Sequence, residues 1–149
     1  MQWRHSIYIP ILAAVPGIAT AADFSTPAAA LHEHQTARVQ RNIEHFLSTI
    51  SFKQEAIEIL QATSPKDAVP DESAVQHLAV ERENELREHL ERDGFKPDYL
   101  ATCKVITTWH VSDTVVRFPL SCSSGSGSLT FTIRLVRVAD GWRVVRNSQ

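Results

Sequence analysis

The stretch Ala101–Cys122, ATCKVITTWHVSDTVVRFPLSC, contains both cysteines of the chain and two runs in which apolar and polar residues alternate. Alternation with a period of two is typical of β-strands. Ser112 and Asp113 lie between the two runs, where a two-residue turn would join them into a hairpin. The stretch therefore predicts an antiparallel pair of strands, Thr102–His110 and Val115–Cys122.

The two cysteines fall opposite each other in this hairpin. Counting outward from the turn pairs Cys103 with Cys122, and directly opposed residues lie within the Cα separation of about 4.4 to 6.8 Å that a disulfide tolerates. In an ideal two-residue hairpin this pair occupies a hydrogen-bonded position, which a bulge would change, and Pro119 indicates an irregular strand. We predict a structural disulfide worth about 3 kcal/mol. The alternative, two buried free thiols, requires a reducing compartment.

The same register divides the hairpin into a mostly apolar face and a mostly polar face. Such a division is what a sheet covered on one side requires. The face that we expect to pack on the core carries Cys103, Val105, Thr107, Trp109, Val111, Thr114, Val116, Phe118, Leu120 and Cys122.

Two more strands and three helices complete the predicted fold. The strands are Ser128–Val138 and Trp142–Arg146, which a D-G turn separates. Apolar residues before the hairpin recur at helical spacing, and each helix has an N-capping signal. The first helix is predicted to run from a cap at Ser25 or Thr26 to Ile50. The second begins at a capping box formed by Ser51 and Gln54. The third begins at a capping box formed by Ser73 and Gln76 and ends at Gly94. Helices followed by closely linked strands predict an α+β fold with an antiparallel meander.

The N-terminus has the pattern of a secretory signal peptide. Arg4 precedes an apolar run, Ile7–Ile18, and small residues then place a cleavage site after Ala21. The run is shorter than the about 20 apolar residues of a membrane-spanning helix, which is the alternative. We therefore expect residues 1–21 to be removed on export. Residues 22–149 would then form a single domain in the bacterial periplasm or outside the cell, with no membrane attachment.

Composition and motifs narrow the function classes. The net charge is −2, and no basic run is present, so we expect no nucleic-acid partner. His32 and His34 lie two residues apart, on different sides of a helix, and the sequence has no H-E-x-x-H motif or Cys/His cluster. We therefore expect no metal, no other cofactor and no catalytic residues. Asp23 and Asp98 are the acids that a pocket enzyme could bury.

The order of elements resembles the NTF2-like superfamily, in particular its small secreted bacterial members of unknown function. The resemblance rests on FSTPAAAL at the first helix, FLSTISFKQEAIEILQATSP at the second, and the closing FTIRLVRVADGWRVV. It implies a cone of helices packed on a curved antiparallel sheet of about four strands, also described as cystatin-like. It further implies a pocket between helices and sheet, and dimerisation through the sheet face. The usual strand or hairpin before the third helix is missing or reduced to AVPDES.

Aromatic residues are the candidates for lining such a pocket. They are Tyr99, Trp109, Phe118, Phe131 and Trp142, and core packing is the alternative role for each. Arg117 and Arg134 fall on neighbouring strands, where two cations could meet an acidic ligand or a partner protein. Extension into solvent is the alternative, and the one that we expect.

These observations predict an exported, non-catalytic binding or protein-interaction module. Its partner would be a small apolar ligand, another protein, or a second copy bound through the sheet face. The alternative is a small pocket enzyme, isomerase-like or hydrolase-like, that uses a buried acid. A buried carboxylate or histidine at the floor of the cone would favour the enzyme, whereas a cone filled by Trp and Phe would favour binding through the outer surface.

Overall fold

The computed structural model describes residues 20–96 and 102–146. Within them, helices precede strands, and the strands form one curved antiparallel sheet. The helices are α1 Pro27–Val39, α2 Ile43–Ser48, α3 Phe52–Thr63 and α4 Glu72–Asp93. The strands are β1 Lys104–Val105, β2 Trp109–Ser112, β3 Val115–Ser124, β4 Gly127–Val138 and β5 Gly141–Val144. This confirms the predicted α+β class. Most of the predicted signal peptide, Asp98 and Tyr99 lie outside the described residues.

The sheet is a meander that the helices join through β5. The strand order is β1-β3-β4-β5, with β2 also paired to β3. The segment between α2 and α3 adds to the free side of β5: Val144 N donates to Thr49 O, and Ser51 N donates to Val144 O, both at 2.9 Å. Helix α1 packs on α2 and on β5, and α3 packs along α4. The helical layer is therefore anchored at the β5 side of the sheet.

The first predicted helix is interrupted, which corrects the expectation that it continues to Ile50. The chain leaves α1 after Val39 and passes through a positive φ of 54° at Arg41. Asn42 then caps α2, its side chain accepting the backbone N–H of His45 at 3.0 Å. An asparagine that satisfies a nearby backbone donor competes with helix continuation, which explains the break.

Two helix starts show how capping decides the boundary. Ser51 accepts the backbone N–H of Gln54 at 3.3 Å, as its capping box predicts. Helix α4 begins earlier than predicted, because Asp71 and not Ser73 is its cap and accepts Ala74 N at 3.0 Å. A carboxylate also interacts favourably with the positive end of the helix dipole. Residues 64–71, between α3 and α4, contain no strand.

The disulfide between Cys103 and Cys122 is present, with the two Cα atoms 4.1 Å apart, and it confirms the predicted pairing. Beside it, Val105 lies opposite Leu120 as the predicted register requires. Nearer the turn the register shifts, so that Ser112 lies opposite Val115. The turn therefore consists of Asp113 and Thr114, which corrects the predicted turn at Ser112–Asp113.

The register shift also determines whether the two cysteines form a hydrogen-bonded or a non-hydrogen-bonded pair of the ladder. Ile106 N donates to Pro119 O at 2.9 Å, so this pair is a hydrogen-bonded one. Hydrogen-bonded and non-hydrogen-bonded pairs alternate along an antiparallel ladder, which places Cys103 and Cys122 at a non-hydrogen-bonded pair. The irregularity between the disulfide and the turn thus moves the cysteines off the position that an ideal hairpin gives them.

The predicted core face of the hairpin is correct for β3 and wrong for the strands before it. Val116, Phe118, Leu120 and Cys122 are all buried. The expected core residues of β1 and β2 are half exposed instead: Val105, Trp109 and Val111. Val105 lies opposite Leu120 on the core face, but the helical layer does not extend over β1. In β2 the register shift instead places Trp109 opposite exposed Arg117, on the outer face of the sheet.

Candidate functional site

A half-enclosed cavity of about 240 Å³ lies between α1, α2 and the part of β4 beyond its pairing with β5. β5 pairs with β4 from Leu135 to Val138. The four residues of β4 before this pairing, Phe131–Arg134, all border the cavity. The remaining wall comes from the two helices and from the residues after β5. The lining residues are His34, Gln35, Arg38, Phe46, Leu120, Phe131, Thr132, Ile133, Arg134, Val144, Val145 and Arg146.

His34 is the buried titratable group of this cavity. Its Nδ1 lies 2.6 Å from Thr49 Oγ1, and Thr49 donates its hydroxyl hydrogen to Phe46 O at 2.6 Å. Thr49 must therefore accept from an Nδ1–H, which leaves the lone pair on Nε2. Burial, together with the charges of Arg38 and Arg146, lowers the pKa of His34 to about 3. The imidazole is neutral at physiological pH, with Nε2 as an acceptor.

Arg146 is held by a buried carboxylate on α3. Glu55 is only 2% exposed and takes a bond from each end of the guanidinium, Nε at 2.8 Å and Nη2 at 2.7 Å. The backbone N–H of Arg146 donates to the same carboxylate at 2.9 Å. A buried charge is tolerated when its partner and its hydrogen bonds are complete. This pair fixes the chain after β5 onto α3.

Arg134 has a second carboxylate partner on α3. Its Nη1 and Nη2 donate to the two oxygens of Glu58 at 3.0 and 2.6 Å. Burial raises the pKa of Glu58, but hydrogen bonds from Arg134 and Gln54 outweigh burial and leave the pKa below its ordinary value. The Nε–H of Arg134 is buried and has no acceptor in the described part of the chain.

Arg38 is the third cation of the cavity, and its contacts differ from those of the other two. Its guanidinium carbon lies 5.0 Å from the ring centre of Phe46 and 5.9 Å from that of Phe95. Burial lowers the pKa of Arg38 from its ordinary value, although an arginine stays charged in proteins. Within residues 20–96 and 102–146 it makes no ion pair with a carboxylate.

The sequence-predicted pocket residues are dispersed. Phe131 lines the cavity, whereas Phe118 is buried in the core. Trp142 is buried at a separate cleft beside Pro27, and Trp109 is 52% exposed and does not line the cavity. Tyr99 lies outside the described residues.

Apart from Arg134, the polar residues of the cavity were not predicted as binding residues, although the sequence holds a signal for two of them. His34 comes three residues after Leu31, and Arg38 comes four residues after His34, so both lie on the apolar stripe of the first helix. Polar residues inside an apolar stripe indicate buried polar contacts. Glu55 and Arg146 carry no comparable signal, because they are far apart in sequence.

Arg117 and Arg134 are direct cross-strand neighbours, as expected from the meander. Arg134 reaches the cavity, whereas Arg117 is exposed and is not part of the lining.

Comparison with known proteins returns no relative: no protein-family model, curated protein or solved structure matches the chain. The resemblance to the NTF2-like superfamily therefore stays a prediction. In the described residues, no group of three or more His, Cys, Asp or Glu is placed to hold a metal ion. The helices of the same residues include none that is long and apolar enough to cross a membrane.

Proposed function

We propose that the protein is an exported, non-catalytic binding module that holds a small, largely apolar ligand in the cavity between α1, α2 and β4. The observation that carries this proposal is the mixture of lining residues. Six of the twelve lining side chains are apolar, and polar groups converge among them, as in small-molecule sites generally. The volume, about 240 Å³, is below the roughly 300 to 1,000 Å³ of drug-sized sites and favours a small ligand. The disulfide is compatible with an exported protein.

A pocket enzyme is the second candidate, because a buried histidine lines the cavity. His34 is a weak base for this role, since a pKa of about 3 lies far from the neutral pH at which a general base is most effective. The two carboxylates beside the cavity, Glu55 and Glu58, each have both oxygens bonded to an arginine. Binding without turnover is therefore the better-supported function.

Native mass spectrometry of the protein purified from the periplasm tests this proposal. We expect a discrete added mass that is released on unfolding. Ile133→Trp adds bulk to the cavity wall and should remove the added mass, whereas Val111→Trp adds the same bulk on exposed β2 and should not. A bare chain mass, with no small-molecule binding by calorimetry, would contradict the proposal.

Incubation of the released molecule with fresh protein separates the two candidates. A binding module returns the molecule with its mass unchanged. Conversion that disappears in His34→Gln would establish the enzyme instead.

Dimerisation through the sheet also stays a prediction. Half-exposed Trp109, which lies opposite Arg117 on the outer face of the sheet, marks the surface where a second copy would bind. Sedimentation equilibrium of the wild type and of Trp109→Ser tests this prediction by measuring the dimer dissociation constant. The substitution should weaken a dimer only if the dimer forms through this surface.

A further inference from the structure

The charges around the cavity do not cancel. Three guanidinium groups line it, from Arg38, Arg134 and Arg146, and two of them are paired with Glu58 and Glu55. His34 adds no charge because it is neutral. The described lining and its partners therefore leave one net positive charge, which belongs to Arg38.

The surroundings of Arg38 make this charge expensive to leave unpaired. The residue is half-buried, and a buried charge is costly unless it is paired and hydrogen-bonded. The rings of Phe46 and Phe95 offset only part of that cost, since guanidinium–ring contacts of this kind are weaker than an ion pair. A ligand that brings one negative charge would complete the site.

The shape of the Arg38 guanidinium also indicates a ligand that accepts hydrogen bonds. The guanidinium fork of Arg38 presents parallel N–H donors, a geometry that matches the two oxygens of a carboxylate. The apolar part of the lining includes Phe131 and Ile133 on β4 and Val144 on β5.

We infer that the cavity binds a small monocarboxylate, whose carboxylate pairs with Arg38 and whose apolar body packs against Phe131 and Ile133. A single net charge and a small, mainly apolar volume fit a monoanion better than a phosphate dianion. This inference rests on the proposed binding function and names the chemical class of its ligand.

Matched pairs of probes test the inference by isothermal titration calorimetry on the purified protein. Phenylacetate is compared with phenylacetamide, and hexanoate with hexanamide, so that each pair differs in charge and hardly in shape. We expect each carboxylate to bind roughly tenfold or more tightly than its amide, as a charge-assisted bond predicts. The wild-type preference alone supports or rejects the inference, without any variant.

Arginine variants then locate the carboxylate. Arg38→Met keeps the apolar stem and should abolish the preference while leaving the affinity for the amides. Arg117→Met removes the same charge from an exposed site outside the cavity and should keep the preference.

Three results would overturn the inference, and they separate it from the proposed function. Amides that bind as tightly as carboxylates would reject the anion site but leave the binding module in place. A preference that survives in Arg38→Met would place the anion elsewhere. Failure of all four probes to bind would reject the cavity as a ligand site, and the proposed function with it.

Discussion

Acidification from pH 8 to pH 5 should destabilise the protein through His34. Its pKa is about 3 in the folded state and 6.5 when free, so the unfolded chain takes up the proton first. A neutral buried histidine stabilises the fold fully above the unfolded pKa, and this contribution declines as the pH falls from 6.5 towards 3. At pH 5 the loss is about 2 kcal/mol, and the full difference approaches about 5 kcal/mol at pH 3 or below.

Urea unfolding at pH 8 and pH 5 measures this effect. A loss of about 2 kcal/mol lowers the midpoint by roughly 1 M for a small protein. His34→Gln should lose most of the pH dependence between these values, because the titrating group is gone. His77→Gln is the matched control, since His77 is exposed on α4, and it should unfold with the wild-type pH dependence.

The comparison between variants decides whether His34 is responsible. If His34→Gln and the wild type lose equal stability between pH 8 and pH 5, the reasoning about its burial is wrong. Direct titration by NMR gives an independent check, because a His34 signal that titrates near pH 6.5 in the folded protein would also refute it.

Three further substitutions test the fold around the cavity. Cys122→Ser, which opens the disulfide, should cost about 3 kcal/mol in urea unfolding, and an unchanged midpoint would show that the bridge contributes nothing. Glu55→Gln should cost about 2 to 3 kcal/mol, because it removes the buried carboxylate that holds the partly exposed Arg146. Glu72→Gln breaks an exposed pair and should cost less than about 1 kcal/mol, and equal losses would contradict the role of burial. Asn42→Ala should cost about 1 kcal/mol through the lost cap of α2, and a gain in helicity without any loss of stability would argue against that cap.

Local patterns in the sequence predict the local features of this fold well. The spacing of the two cysteines predicted their pairing, although the turn is at Asp113–Thr114 and not at Ser112–Asp113. The register shifts between the turn and β1 restore the predicted register at the disulfide. The Ser51 cap is a contact between near neighbours. The break at Asn42 was missed because the apolar spacing runs across it, and only the competing side-chain hydrogen bond reveals it.

Long-range contacts explain most of what the sequence did not predict. Glu55 and Arg146 are 91 residues apart, and nothing local to either position indicates their pairing. Trp109 has the alternation of a core residue, but a register shift between β1 and β2 places it opposite exposed Arg117, on the outer face of the sheet. Which apolar face becomes a core face, and which polar residues meet, depends on how the helical layer is placed.

The most direct test of ligand binding in the cavity is a two-dimensional ¹H–¹⁵N NMR titration with phenylacetate. We expect saturable shifts of the backbone amides of Arg38, Ile133 and Val145, which line the cavity, while Val111 on exposed β2 stays unmoved. Shifts confined to the exposed strands, or no saturable shift at all, would contradict the account.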